Sequence, residues 1–264
     1  MRRFIVIFVA TLSAIAATAA SAQARPVPAP AAPTGNDISY PQCGRTYPSG
    51  QAFAIVGVNG GKASNFNPCF TSEWSWAQTS KAGTSQLPAQ LYVNTGNPGD
   101  VLAQYSVTDW PTSSDPTVDP YGTCAGTYTD DMACSWEYGY ERAQADIGFV
   151  GSPSSAKWWL DIETSNSWTS DAAKNQASLE GMVYALEQSG VAVGIYSSSG
   201  SWSSLFGTVA SSSPLSSLDE WRPGAKTLSK AKSNCALAPF EGDGRVVITQ
   251  YVSSNLDYDY SCVN

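Results

Sequence analysis

The chain has 264 residues, a formal net charge of −8 and no histidine. With a pI near 4.5 it lacks the basic face that nucleic acid requires, and anionic membranes would repel it. The missing histidine excludes Ser-His-Asp and Cys-His catalysis and the usual zinc and iron ligands. Acid–base chemistry therefore falls to carboxylates, tyrosines or lysines, and neither a metal nor a cofactor is expected.

Arg2 and Arg3 precede an apolar run from Phe4 to Ala17. Two small-residue cleavage candidates follow, Ala20-Ser21-Ala22 and Ala22-Gln23-Ala24. This pattern predicts a signal peptide over 1–24, a secreted product, and no membrane span once the peptide is removed. Residues 25–34, with Pro26, Pro28, Pro30 and Pro33 among alanines, read as an extended linker. Residues 35–264 are then one domain, a length that α/β barrels often occupy. All six cysteines lie in it, and an even count in an exported chain favours three disulfides. Spacing favours Cys43 with Cys69, Cys124 with Cys134, and Cys235 with Cys262.

In chain order, Asn36–Ser39 reads as a short first strand and Phe53–Val58 as a second, apolar enough to be buried on both faces. Glu73–Ala82 suits a helix, and Gln90–Asn94 a third strand. Residues 107–135, rich in Pro, Asp, Thr and Ser, read as a surface excursion stapled by Cys124 and Cys134. Trp136–Ile147 has helical spacing. Trp158–Glu163 is the fourth strand, with its two tryptophans on opposite faces. A helix at 171–189 takes Ser170 as N-cap and Gly190 as the residue past its end, with Leu179, Met182, Val183 and Leu186 as its apolar stripe. Val191–Tyr196 is the fifth strand and Val246–Tyr251 the last, with two weaker strands expected between 215 and 240. Such alternation predicts a parallel α/β fold with reactive groups at the C-terminal ends of strands.

The chemistry concentrates at one of those ends. Asp161 and Glu163, one residue apart, point the same way along a strand. Two acids side by side repel when both are ionised, so one is driven to keep its proton. A proton donor beside a fixed negative charge is what glycosidic cleavage needs. Asp37 in the first strand and Asp257 after the last converge on the same mouth if the sheet closes, because first and last strands are then neighbours. Asp259 shares a face with Asp257 and is an alternative to it. Tyr92, Tyr196 and Tyr251 offer hydroxyls at strand ends. Trp74, Trp110, Trp168 and Trp202 are candidates for stacking on sugar rings.

This ordered set resembles glycoside hydrolase family 25, the secreted lysozyme-type muramidases. Asp37-Ile38-Ser39-Tyr40-Pro41-Gln42 is similar to the family's opening Asp-Val-Ser-x-x-Gln. Gln144-Ala145 resembles its pair before strand four, Asp161-Ile162-Glu163 its Asp-x-Glu, Gly194-Ile195-Tyr196 with Trp202 its strand-five signature, and Gln250-Tyr251 followed by Asp257 its ending. The resemblance implies an irregular (β/α) TIM-like barrel cutting β-1,4 bonds of peptidoglycan or a related N-acetylated polysaccharide. It implies Glu163 as general acid, Asp161 as partner carboxylate, Asp37 and Asp257 as tuning acids, and Tyr92, Tyr196, Gln250, Tyr251 and Trp202 as substrate contacts. The implied protein is a monomer without cofactor. Two stretches depart from the pattern. The third strand reads Tyr92-Val93-Asn94-Thr95 where the family usually ends in aromatic-His-Phe, and the second runs into Asn59-Gly60-Gly61 instead of a charged end. A non-catalytic carbohydrate- or cell-wall-binding protein on the same barrel is the alternative. A secreted interaction module using the 107–135 loop is a third reading.

Overall fold

The computed structural model describes residues 34–99, 109–114, 118–125, 131–151 and 156–263. The predicted signal peptide, the linker through residue 33 and parts of the 107–135 stretch lie outside the described residues. Eight strands close into a barrel in sequence order: β1 Thr34–Ile38, β2 Ala54–Gly57, β3 Ala89–Asn94, β4 Lys157–Ile162, β5 Ala192–Ser197, β6 Asp219–Ala225, β7 Arg245–Ser253 and β8 Leu256–Ser261. Consecutive strands from β1 to β7 pair in parallel. The closing strand β8 is antiparallel to both β7 and β1.

The TIM-like barrel expected from sequence is therefore present, with three corrections. Only β6 falls between 215 and 240, and the strand expected to be last is β7. The true last strand is the return arm of a hairpin, turned at Ser254 and Asn255, both with positive φ. The sheet is mixed rather than all parallel, because a two-residue turn can only reverse the chain. Finally, the domain begins one residue earlier than expected, since Thr34 already pairs with Tyr260.

Helices α1 Phe70–Ala77, α2 Met132–Val150, α3 Ala172–Gln188, α4 Ser199–Phe206 and α5 Leu228–Asn234 accompany the barrel. The N-cap of α3 is Asp171, not Ser170; its carboxylate accepts from the amides of Ala173 and Lys174. Aspartate wins this position because it adds a negative charge at the positive end of the helix. Gly190 follows with φ of 78°, as the sequence suggested. Helix α2 starts four residues before its predicted limit, capped by Asp131 on the amide of Cys134. Cys134 thus belongs to the first turn of α2, and the Cys124–Cys134 bond fastens the excursion to a helix end. The other disulfides are Cys43–Cys69, in which Cys69 is the N-cap of α1, and Cys235–Cys262, joining the end of α5 to the end of β8.

Alternation along β4 splits its two tryptophans as expected. Trp158 packs outward in the layer between sheet and helices with Leu179, Met182 and Val183. Trp159 points inward, where it packs with Phe53, Ile55, Trp221 and Ile248 under Tyr92 and Tyr196. Inward glycines make room for these rings. A methyl at Gly194 would lie 2.4 Å from the Trp159 ring, and one at Gly57 would lie 2.7 Å from the Tyr92 ring. The buried amide of Gln90 accepts from the Trp159 indole at 2.8 Å, so the filling is polar-matched as well as close-packed. Among the described residues no helix is long and apolar enough to cross a membrane.

Outside the barrel, α2 and α3 touch backbone to backbone. A Cβ at Gly139 would sit 1.8 Å from the carbonyl oxygen of Ser178, and one at Gly181 would sit 2.0 Å from that of Trp136. Neither obstacle is a side chain that can move aside. Gly139→Ala should therefore force the helices apart and cost about 1–3 kcal/mol or more, read as a fall in the urea midpoint. An unchanged midpoint would show that the crossing is not close-packed in solution.

Candidate active site

The inner aromatic layer ends below the C-terminal mouth of the strands, leaving a cavity of about 190 Å³. It is lined by Asp37, Tyr92, Asp161, Glu163, Tyr196, Trp221, Gln250 and Asp257. Each side chain arrives there by alternation on its strand. On β4, Trp159 and Asp161 face inward, and Glu163 follows just past the strand end, exposed at the rim. Asp37 and Asp257 are register partners across the β1–β8 pair, so barrel closure sets them opposite one another. The four acids singled out in the sequence are thereby brought together.

The other expected contacts divide. Tyr92, Tyr196 and Gln250 line the mouth and Tyr251 does not. On β7 it alternates with Gln250, turns away from the cavity and stacks on Tyr258 at 5.2 Å. Trp202 is also elsewhere, 2% exposed in α4, stacked on Phe240 and donating to Glu241. Trp74 packs by Phe70, and Trp110 is buried against Tyr138. Trp168 is buried too, but its indole donates to the carbonyl of Glu163 at 2.8 Å and so holds the rim. The aromatic wall of the mouth is instead Trp221, centred 4.4 Å from the Tyr196 ring. It was missed because β6 has no clear pattern; its register with β7 slips at Glu220/Trp221.

A hydrogen-bond chain organises one side of the mouth. Tyr196 donates to Gln250 Oε1 at 3.1 Å, and Gln250 Nε2 donates to Asp37 Oδ2 at 2.9 Å. Beneath Asp37, Asp259 is fully buried and accepts from the Trp221 indole at 2.9 Å. Asp257, half-buried, is the member of this pair that lines the cavity. Withdrawal from water and then the charge of Asp257 push Asp37 up to about 7. Burial, then Asp37 and Asp257, hold Asp259 well above the usual carboxylate range.

Asp161, 7% exposed, is held on the other side. Burial first, then the charges of Glu163 and Asp37, raise it well above the usual range. Its Oδ2 accepts from Asn94 Nδ2 at 2.8 Å. Its backbone carbonyl accepts from the Thr95 hydroxyl at 2.7 Å and from Asn166 Nδ2 at 3.0 Å. The backbone amide of Asn94 donates to Asn59 Oδ1 at 2.7 Å, and Asn59 Nδ2 donates to Asp146 Oδ1 at 2.8 Å. Asp146, on α2, is 1% exposed, and burial pushes it up to about 8. Chemically the mouth is a small acidic well with tyrosine and indole walls. It suits a neutral, hydroxyl-rich ligand and the shuttling of protons between carboxyls.

A family model for lysozyme-like protein 1 matches residues 152–221, a stretch that includes β4, α3, β5 and α4 with both Asp161 and Glu163. No curated protein matches the chain. Among solved structures, a muramidase from Trichobolus zukalii superimposes with a TM-score of 0.53 at 15% identity, covering 87% of this chain and 93% of that one. The modular Cpl-1 endolysin, complexed with a peptidoglycan analogue, gives a TM-score of 0.50 at 14% identity over 88% of this chain. This chain spans 54% of the endolysin's length. At such identities the likeness establishes a shared fold, the (β/α) barrel.

Asp146 generates a prediction about pH. Its folded pKa of about 8 exceeds the ordinary 3.8, so between those values the folded chain holds a proton that the unfolded chain has released. The stability this provides is complete below pH 4 and is lost as pH rises through about 8, by about 1.4 kcal/mol per unit at most. Asp146→Asn lacks this titration. Its urea midpoint should rise relative to wild type between pH 4.5 and pH 8; a difference independent of pH would contradict the assignment.

Proposed function

We propose that the chain is a secreted glycoside hydrolase of the lysozyme type, cutting β-1,4 bonds of peptidoglycan or a related N-acetylated glycan. The observation that carries this reading is a cavity whose wall holds Asp37, Asp161, Glu163 and Asp257 together, from β1, the end of β4 and β8. Supporting it are the muramidase likeness of the fold, the peptidoglycan analogue in the endolysin complex, and the lysozyme-like match over the segment bearing Asp161 and Glu163. Export rests on the signal-like pattern of residues 1–24 and accords with the three disulfides.

In this reading Glu163 is the general acid. It lies at the rim, reached by the Ser165 hydroxyl at 3.4 Å, where a glycan crossing the mouth covers it and removes its water. Its carboxyl passes a proton to the glycosidic oxygen as the bond to the anomeric carbon breaks, and water then adds to that carbon and returns a proton to Glu163. Positive charge then grows on the sugar ring above Asp161 and Asp37. Either acid in its ionised form, directly beneath that charge, stabilises it. Tyr92, Tyr196 and Trp221 form the wall against which the ring rests, with tyrosine hydroxyls for its polar edge.

Zymography on peptidoglycan tests the reading. Wild type should clear the gel, and Glu163→Gln, which keeps shape and loses the proton, should reduce the rate by about 10²–10⁴-fold. Equal clearing by both would remove Glu163 from the mechanism. No clearing by wild type on a panel of N-acetylated glycans would leave a binding protein on the barrel.

A further inference from the structure

The two stretches that depart from the muramidase pattern, Asn59-Gly60-Gly61 and Tyr92-Val93-Asn94-Thr95, are joined in the fold. Their asparagines form one continuous chain of hydrogen bonds from α2 to the mouth: Asp146, Asn59, Asn94, Asp161. Asn94 is the register partner of Asp161 across β3 and β4, so its place beside that carboxyl is set by the sheet. All four residues are buried, at 9% exposure or less.

We infer that Asn94, locked by Asn59 and Asp146, is the positioning residue that determines which oxygen of Asp161 meets the substrate. This rests on the glycosidase reading only for the identity of that substrate. An asparagine amide can present either end, and the chain removes the choice at Asn59. Its oxygen must face the backbone amide of Asn94, which leaves its nitrogen for Asp146 and for the carbonyl of Asn65. The loop carrying Asn59 is thereby tied to the backbone of β3 at Asn94, the side-chain amide nitrogen of which donates to Asp161 Oδ2. An oxygen that already accepts an N–H at 2.8 Å gives up part of that bond if it also takes the proton, so the free oxygen is the favoured site for it. When Asp161 is protonated, the bond from Asn94 therefore favours the proton on Oδ1.

Oδ1 is buried and has no hydrogen-bond partner in the protein. A buried polar oxygen left unpaired is costly unless a ligand completes it. Asp161 lines the mouth, so a glycan seated there is the group that can do so, an acetamido substituent being suited to either form of the acid. The bonds from Thr95 and Asn166 to its backbone carbonyl fix the strand end from which the carboxyl projects. The ionisable groups facing it are Glu163 beyond its own strand, Asp37 from β1, Tyr92 from β3 and Tyr196 from β5. None of these is a cation. Among the groups around the carboxyl, the Asn94 amide is the donor that favours its ionised form.

Carboxyl-carbon NMR titration of protein labelled at aspartate tests this without relying on turnover, with Asp161 identified by the signal lost in Asp161→Asn. Asn94→Ala should raise the Asp161 midpoint by about one pH unit or more, because the donor to the charged form is gone. Asn94→Asp keeps the shape and the backbone bond to Asn59, replaces the donor with a second carboxyl, and should raise the midpoint further. It also serves if the alanine variant folds poorly. On peptidoglycan, Asn94→Ala should lower kcat by about 10²-fold and move the pH–rate profile in the same direction as the NMR midpoint.

A midpoint unmoved in both variants overturns the inference even if the enzyme is active and Glu163→Gln is dead. A moved midpoint in a wild type that cleaves no glycan keeps the role of Asn94 and removes the glycosidase reading. A fall in kcat without any movement of midpoint or profile assigns Asn94 a structural part only, and also overturns the inference.

Discussion

Closure of the sheet by an antiparallel eighth strand is the constraint on which the mouth depends. Strands β1 and β8 pair so that Asp37 and Asp257 are directly opposed, and Asp259 is carried inward two residues on. The same closure leaves no open edge, so all eight strands direct alternate side chains into one interior. Without β8, Asp37 would lie on an edge in water and would ionise as an ordinary carboxyl. With it, the acids lose hydration together, the charge of Asp257 raises Asp37, and both raise Asp259.

Such a concentration of acids opposes folding, and the rest of the molecule has to offset it. Much of the offset comes from the aromatic layer directly below, where Trp159, Trp221 and Phe53 fill the barrel and inward glycines admit them. The layer is also the floor of the well. The Trp221 indole both packs against Tyr196 and donates to Asp259, so one side chain is core and site at once. Outside, the Gly139–Gly181 crossing brings α2 close to the sheet's helical shell, and α2 delivers Asp146 to Asn59. Packing remote from the mouth thus reaches Asp161 through two amides.

Much of this was legible in the residues. The β2, β3, β4 and β5 runs are apolar enough to declare buried strands, and the α3 stripe and its terminal glycine mark a helix without ambiguity. Strand alternation alone put Trp158 and Trp159 on opposite faces and Asp161 on the inward one. The closing hairpin was not legible, because β7 and β8 are separated by a turn of two ordinary residues, Ser254 and Asn255, with no glycine to announce it. Nor was β6, the bulged register of which breaks the period that identifies a strand. Tyr251 and Trp202 were placed at the mouth by analogy, and local alternation and burial put them elsewhere.

The sequence by itself determined strands β1 to β5 and β7, the opposite faces of the β4 tryptophans, the cysteine pairing favoured by spacing, and the four acids in their chain order. These are local properties, set by periodicity and by distance along the chain. Tertiary structure alone decided which acid opposes which, that Trp221 walls the mouth, and that Asn59 and Asn94 join Asp146 to Asp161. The bonds of that last chain alone span 35 to 87 residues. They depend on barrel register and on a hydrogen-bond direction chosen only when buried amides must all be satisfied at once.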